Sequence, residues 1–463
     1  MLLKYKPINQ FTKSVIGHFL IILIGGIGVG IYGAMLLSLG ILYYHFNQKN
    51  VISGFLIIIL IFVFADNQFN SLGFVKTLRF TSLGVILLFV SSYLLDGKDK
   101  ISVFFLPFSI YALFTSIFLS PVPMEAIPRS VGFFLVAFIF IDVFRLFFYQ
   151  RDNLRFFVNV FYWIIFCYYT IGLILFFTPI RDFVSVNGRF AGLMGNPNGV
   201  GLLSFLLYPF FDYCRKKKLL TTNEIKYYKV FFSIIFISVV LSGSRNALFS
   251  LLIYEITKRY AYNFSRFAII ITLVIAGYLF ISNINFPQII YSLGLENYLR
   301  VESLENASGR ADIWKVVWEK IKENPWIGKG VYYDQYFVED YRNNVLGGIY
   351  ARQWNGVWNS YLSILLDVGI IGLFLYFIFI KKLFSHCQDK VLARAFLLSA
   401  LFSAIVESWM AASMNIYTPL FFIYFALQSI PLRENLSAYQ KKSTVEIPFF
   451  IYSTHRLLAV LCQ

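Results

Sequence analysis

The chain has 463 residues, 58% of them hydrophobic and 14% charged, with a formal net charge of +16. A soluble protein of this length needs a polar skin that such a composition does not supply, and the apolar stretches are continuous where a transmembrane β-barrel would alternate. The surplus of Lys and Arg does not point to nucleic acid, because basic residues gather in the cytoplasmic loops of a membrane protein.

Taken in chain order, the apolar runs fall near 15–46, 51–65, 78–95, 101–119, 130–149, 154–178, 197–213, 229–242, 246–257, 264–282, 359–380, 391–409 and 414–430. Most have the length of a bilayer crossing, so the expected fold is all-α, a polytopic transmembrane bundle of about 12–14 spans. The first run is too long for one crossing and too long for a signal peptide. Its centre, "GGIGVG" at 25–30, is expected to turn it into a hairpin, with the glycines easing helix packing. A nucleotide fingerprint there lacks the preceding strand that it requires. The expected division is N-terminal membrane helices over 1–282, an extracytoplasmic loop containing short helices over 283–357, C-terminal membrane helices over 358–430 and a cytoplasmic tail over 431–463.

Orientation follows from charge. Lys and Arg concentrate in Lys4–Lys13, Lys49, Lys98–Lys100, Arg145–Arg155, Arg215–Lys229, Lys258–Arg266, Lys381–Arg394 and the tail, which places those loops inside. Both termini then lie inside. Facing outward are "RFAGLMGNPNGVG" (189–201), "SGSRNAL" (242–248), the loop 283–357, "WNSYL" (358–362) and "VESWM" (406–410). Cys167, Cys214, Cys387 and Cys462 show no metal-ligand spacing and read as unpaired. No metal or other cofactor is expected.

These outward segments hold the chemistry-bearing residues. Arg189 precedes glycines and an Asn-Pro-Asn run, a re-entry turn whose irregular backbone is tolerated at membrane depth only beside a cavity or under protein. Arg245 opens a span, where a guanidinium needs water or a partner; an arginine snorkelling from a tight turn is the plainer reading. Residues 306–330 read as one helix, with Ser308 as N-cap, Asp312 in the first turn, Ile313, Val316, Val317 and Ile321 on the apolar face, and Pro325 and Gly328 ending it. Arg310 lies at its positive end, where guanidinium and free amides together can cradle an anion.

The order Arg-x-x-Gly, Asn-Pro-Asn, Gly-Ser-Arg, Ser-Gly-Arg-x-x-x-Trp, Asn-Pro-x-x-Gly-x-Gly and Asn-Ser-Tyr-Leu, running from Arg189 to Gly372, resembles the O-antigen polymerase and O-antigen ligase superfamily of bacterial membrane glycosyltransferases. The apolar half before Arg189 carries none of it. The resemblance implies a plasma-membrane enzyme whose site faces the periplasm or cell exterior. There it would move a glycan from undecaprenyl pyrophosphate to a sugar hydroxyl. A chain-length regulator and a flippase are the protein partners it suggests; nucleic acid is not one. Arg245 and Arg310 would hold the pyrophosphate, with Arg189, Asn196, Asn198, Trp358, Asn359 and Tyr361 as further substrate contacts.

One position departs from the pattern. Family ligases commonly carry histidine before the Asn of "WNSYL", and this chain has Trp358. His18, His45, His386 and His455 all map to the inner side or its edge. Either a carboxylate then takes the proton, or the acceptor reacts with little base help because the leaving group departs early. The candidate carboxylates are Glu407 first, as an acid at the outer end of an apolar span, then Asp334, Glu339 and Asp340. Glu407 reads equally as the partner of an arginine such as Arg245. The expected activity is polymerisation of lipid-linked repeat units into O-antigen or capsular polysaccharide. A ligase acting on a lipid A core is the near alternative, and a lipid-linked oligosaccharide flippase the alternative of another class, against which the chain shows no duplicated halves.

Overall fold

The structure is a computed structural model that describes residues 8–48, 50–67, 69–95, 100–260, 310–346 and 354–431. The expected span at 264–282, Ser308, His455, Cys462 and the tail beyond 431 lie outside the described residues. Within them the regular structure is helical, mostly α, apart from one short strand pair, Ser185–Val186 with Arg189–Phe190. Six helical stretches are long and apolar enough to cross a membrane: Gln10–Val29, Asn70–Ser91, Pro123–Phe148, Arg151–Phe176, Thr222–Ser242 and Ser360–Ser385. The chain is a multi-pass membrane protein. Other expected spans are shorter helices, among them Val51–Ala65, Leu106–Phe118, Arg245–Tyr260, Lys390–Val406 and Tyr417–Ser429.

The first apolar run breaks at Gly30, whose φ of 79° suits a residue without Cβ. Its halves, Ile8–Val29 and Ile31–Asn47, pack antiparallel, since His18 meets His45 and a side chain at Gly25 would meet Leu37. Their outer faces show Ile24, Ile27, Tyr32 and Leu36. The helix Val51–Ala65 is different. It is apolar on every side and buried almost throughout, as a helix without a polar face must be. Together with Tyr417–Ser429 and Pro197–Lys216, also largely buried, it forms the centre of the bundle. Between Pro123–Ala137 and Phe144–Phe148 runs a π-helical stretch that contains the fully buried Asp142. Its carboxylate accepts from the amides of Ile101 and Ser102, at 2.9 Å each, which would otherwise lack partners as the next helix begins.

The helix Ser360–Ser385 is broken inside at Gly369, with φ 64° and ψ −169°. A break at membrane depth frees backbone groups that lipid does not satisfy. The segment 325–330 supplies the partners. Ile370 and Ile371 donate to the carbonyls of Pro325 and Trp326, and Lys329 and Gly330 donate to those of Leu366 and Asp367, over 2.8–3.1 Å. The Asn-Pro-x-x-Gly-x-Gly stretch is therefore wedged into the break. A second apolar cluster, Ile313, Val317, Ile321, Phe337, Val338, Trp354, Val357 and Leu366, holds the helices Arg310–Glu323 and Tyr333–Asn344 above it. The Arg310 helix ends at Glu323, just before Asn324 and the stop expected at Pro325.

Candidate active site

Local chain chemistry places each arginine. Asn187 and Gly188 both have positive φ, 52° and 73°, and turn a tight hairpin that sets Arg189 on its second strand. From there Arg189 Nε donates to the carbonyl of Ser242 at 2.6 Å and Nη2 to Asn198 Oδ1 at 2.9 Å. Ser242 is the last residue of the helix Thr222–Ser242, so Arg189 caps an orphan carbonyl and ties two helices. Gly243, φ 57°, reverses the chain against that guanidinium; a Cβ there would lie 3.2 Å from Arg189 Nε. Two residues later Arg245 begins the next helix.

Asn246 carries the connection onward. Its side-chain amide donates to the carbonyl and hydroxyl of Ser403 at 3.2 and 3.1 Å, pinning the start of the Arg245 helix to the end of Lys390–Val406. One turn beyond Ser403, Arg310 Nη2 and Glu407 Oε1 form an ion pair at 3.1 Å, with 20% and 14% of the two side chains exposed. Trp358 lies beneath, its ring centre 5.7 Å from the Arg310 guanidinium. Thus the Arg189–Ser242 bond, the Asn246–Ser403 bonds and the Arg310–Glu407 pair tie neighbouring helix ends together at one end of the bundle, with Arg245 next to Asn246 in the chain. Glu407 pairs with Arg310, not with Arg245. It also sits just past its helix, in extended backbone at φ −144° and ψ 139°, rather than within it.

"WNSYL" braces these helix ends. Trp358 adopts φ 55°, a conformation that bulky residues seldom take and that clusters at functional sites. Asn359 Oδ1 accepts from the amides of Tyr361 and Leu362 at 2.9 and 3.0 Å, capping the helix that follows. Ser360 Oγ donates to the carbonyl of Glu407 at 2.7 Å and accepts from the amide of Met410. The Tyr361 hydroxyl donates to the carbonyl of Leu401 at 2.7 Å. Asn196 stands half-buried at the N-cap of Pro197–Lys216, its amide beside Gly199. The described histidines stand apart: His18 bonds His45 at 3.1 Å, and exposed His386 lies against the carbonyl of Lys382.

The same face carries charges that sequence reading passed over. Asp66 pairs with Arg79 at 3.2 Å and accepts from the amide of Ile416 at 2.8 Å. Arg129 stacks 3.7 Å over the Tyr332 ring and donates to Gln335 Oε1 at 2.9 Å. Asp367 accepts from the amides of Tyr332 and Asp334, capping the helix Tyr333–Asn344 from a neighbouring element. Desolvation pushes the Asp334 carboxyl above the usual carboxylate range, with Arg129 opposing. Asp340 and Glu339, the other loop carboxylates considered, are exposed and bond to Asn344 and Arg342 on their own helix. Lone charges at the ends of apolar runs were the available signal for Asp66, Arg79 and Arg129. The Asn-Gly pair was the signal for the hairpin.

Fold and site together define a multi-pass membrane protein with arginines gathered at one end of its helical bundle. Residues 230–377 match the family model described as Wzy_C, O-antigen ligase, so that segment belongs to the O-antigen polymerase and ligase family. A comparison with curated proteins gives no match. The matched segment contains Arg245, Arg310, the wedge 325–330, Asn359 and the break at Gly369; Arg189 and Glu407 fall outside it.

Proposed function

We propose that the protein is a polymerase that joins undecaprenyl-pyrophosphate-linked repeat units into O-antigen or capsular polysaccharide at the outer face of the bacterial plasma membrane. The observation that carries this reading is the Arg310–Glu407 pair, one helical turn from Ser403, where Asn246 pins the start of the helix that Arg245 opens and Arg189 caps the helix before it. A departing pyrophosphate gathers negative charge, and fixed guanidinium groups in a partly shielded site stabilise that charge without reorganising. The pyrophosphate of the donor exchanges places with Glu407 on Arg310. Its bond to the anomeric carbon breaks and the electron pair leaves with the pyrophosphate. The acceptor hydroxyl oxygen bonds the same carbon from the opposite side, and its proton passes to the freed Glu407 carboxylate. Configuration at the anomeric carbon inverts.

Trp358 supports a polymerase over a ligase, because it fills the place beside Arg310 where family ligases commonly carry an imidazole. The discriminating experiment supplies purified protein in lipid nanodiscs with synthetic lipid-pyrophosphate repeat units. A ladder of longer glycans is expected. Transfer onto a lipid A core alone would make the protein a ligase, and translocation without chain growth would make it a transporter.

Glu407→Gln tests the proton path. It should lower turnover by about 100-fold while leaving the donor KM equal or smaller, since the carboxylate that competes for Arg310 is gone. Unchanged turnover would reduce Glu407 to a partner in an ion pair.

A further inference from the structure

The helices that bring the arginine face together carry a second charged cluster at their other ends. Pro197–Lys216 finishes on Arg215 and Lys216, Arg245–Tyr260 finishes on Lys258 and Arg259, and Lys390–Val406 begins after Asp389. Between them opens a cavity of about 380 Å³ lined by Asp212, Arg215, Lys216, Lys258, Val391 and Leu392. Asp212, 5% exposed, accepts from the Tyr254 hydroxyl at 3.0 Å, Lys258 Nζ at 3.0 Å, Arg215 Nη2 at 3.1 Å and the Tyr228 hydroxyl at 3.4 Å. Four donors saturate this carboxylate, so it organises the basic groups and has no capacity left to recruit a cation.

Three basic residues therefore line the cavity against one spent carboxylate. Arg215 and Lys216 keep about half of their side chains exposed, 51% and 46%. Lys216 also pairs with Asp389 at 2.9 Å, and Lys258 with Glu255 at 2.6 Å. Val391 and Leu392 give the cavity an apolar wall. Helix ends of a membrane bundle stand at headgroup depth, and a basic pocket between such helices suits a lipid phosphate beside an apolar glycerol backbone. We propose that this cavity binds the phosphate of an anionic phospholipid in the leaflet opposite the arginine face. Arg215 supplies a bidentate fork and Lys216 a mobile point charge. A zwitterionic lipid is disfavoured because its own cation would meet these groups. The site stands at the far end of the bundle from Arg310, so it holds or fails independently of the glycan-transfer reading.

The test is native mass spectrometry of the full chain released from nanodiscs of equal phosphatidylglycerol and phosphatidylcholine. Phosphatidylglycerol should be retained on the order of tenfold over phosphatidylcholine. The double variant Arg215→Gln with Lys216→Gln should bring the ratio near parity, and Arg215→Lys with Lys216→Arg should restore most of it. Should the double variant fail to fold, raised salt on the unaltered protein must abolish the preference by screening. Equal retention of the two lipids, or a preference indifferent to both salt and substitution, would overturn the proposal. So would inorganic phosphate alone stabilising the detergent-purified protein as strongly as phosphatidylglycerol does, since the ligand would then be a free anion.

Discussion

Arg310→Lys is expected to slow glycan chain growth by about 100-fold while the protein still assembles in the membrane. Losing one oriented donor to a developing oxyanion costs about 3 kcal/mol, and lysine retains the charge but not the planar fork. The ion pair with Glu407, at 3.1 Å through Nη2, can persist with an ammonium group, so the fold should tolerate the change. The Trp358 ring, 5.7 Å from the guanidinium, would keep a cation nearby but lose the planar group over it. The measurement is the rate of ladder formation from a synthetic donor, beside size-exclusion profiles of both proteins. Near-normal rates would remove bidentate phosphate recognition from the mechanism. Combining Arg310→Lys with Glu407→Gln separates the roles: the losses should be less than additive if the two groups act in one exchange.

Gly328→Ala and Gly369→Ala should each destabilise the bundle strongly. A Cβ on Gly328 would lie 2.5 Å from the carbonyl carbon and oxygen of Asp367, and one on Gly369 would lie 2.3 Å from the carbonyl oxygen of Trp326. Both glycines also have positive φ, 70° and 64°. The atoms they would strike are backbone, which cannot swing aside, and their separation would open the hydrogen bonds that satisfy the broken helix. Conformational strain and overpacking together cost on the order of 4 kcal/mol. Gly356→Ala is the control, since among the described residues its Cβ would meet nothing nearer than Trp358 at 3.8 Å. Thermal unfolding in detergent should separate the two classes plainly. Equal stability of all three variants would mean that the wedge is not packed as described.

Uninterrupted apolar runs were enough to determine a helical membrane protein, because lipid leaves a spanning backbone few ways to satisfy itself. The hairpin at Gly30 and the end of the Arg310 helix ahead of Pro325 were likewise legible, being set by residues close together in the chain. Candidate residues were legible as types, since a guanidinium between apolar stretches needs a reason wherever it ends up. What each one touches was decided only in three dimensions. Glu407 could have paired with Arg245 by any reading of the linear order, yet it meets Arg310, 97 residues away. Asn359 and Tyr361 read as substrate contacts, and packing engages their polar atoms in a helix cap and an interhelical bond. Asp66, Arg79 and Arg129 lay in an apolar half with no motif, and only the packing of distant helices brings them to the arginine face. The break at Gly369 and the wedge that fills it were invisible separately, because neither segment's backbone demand can be met within its own stretch of chain.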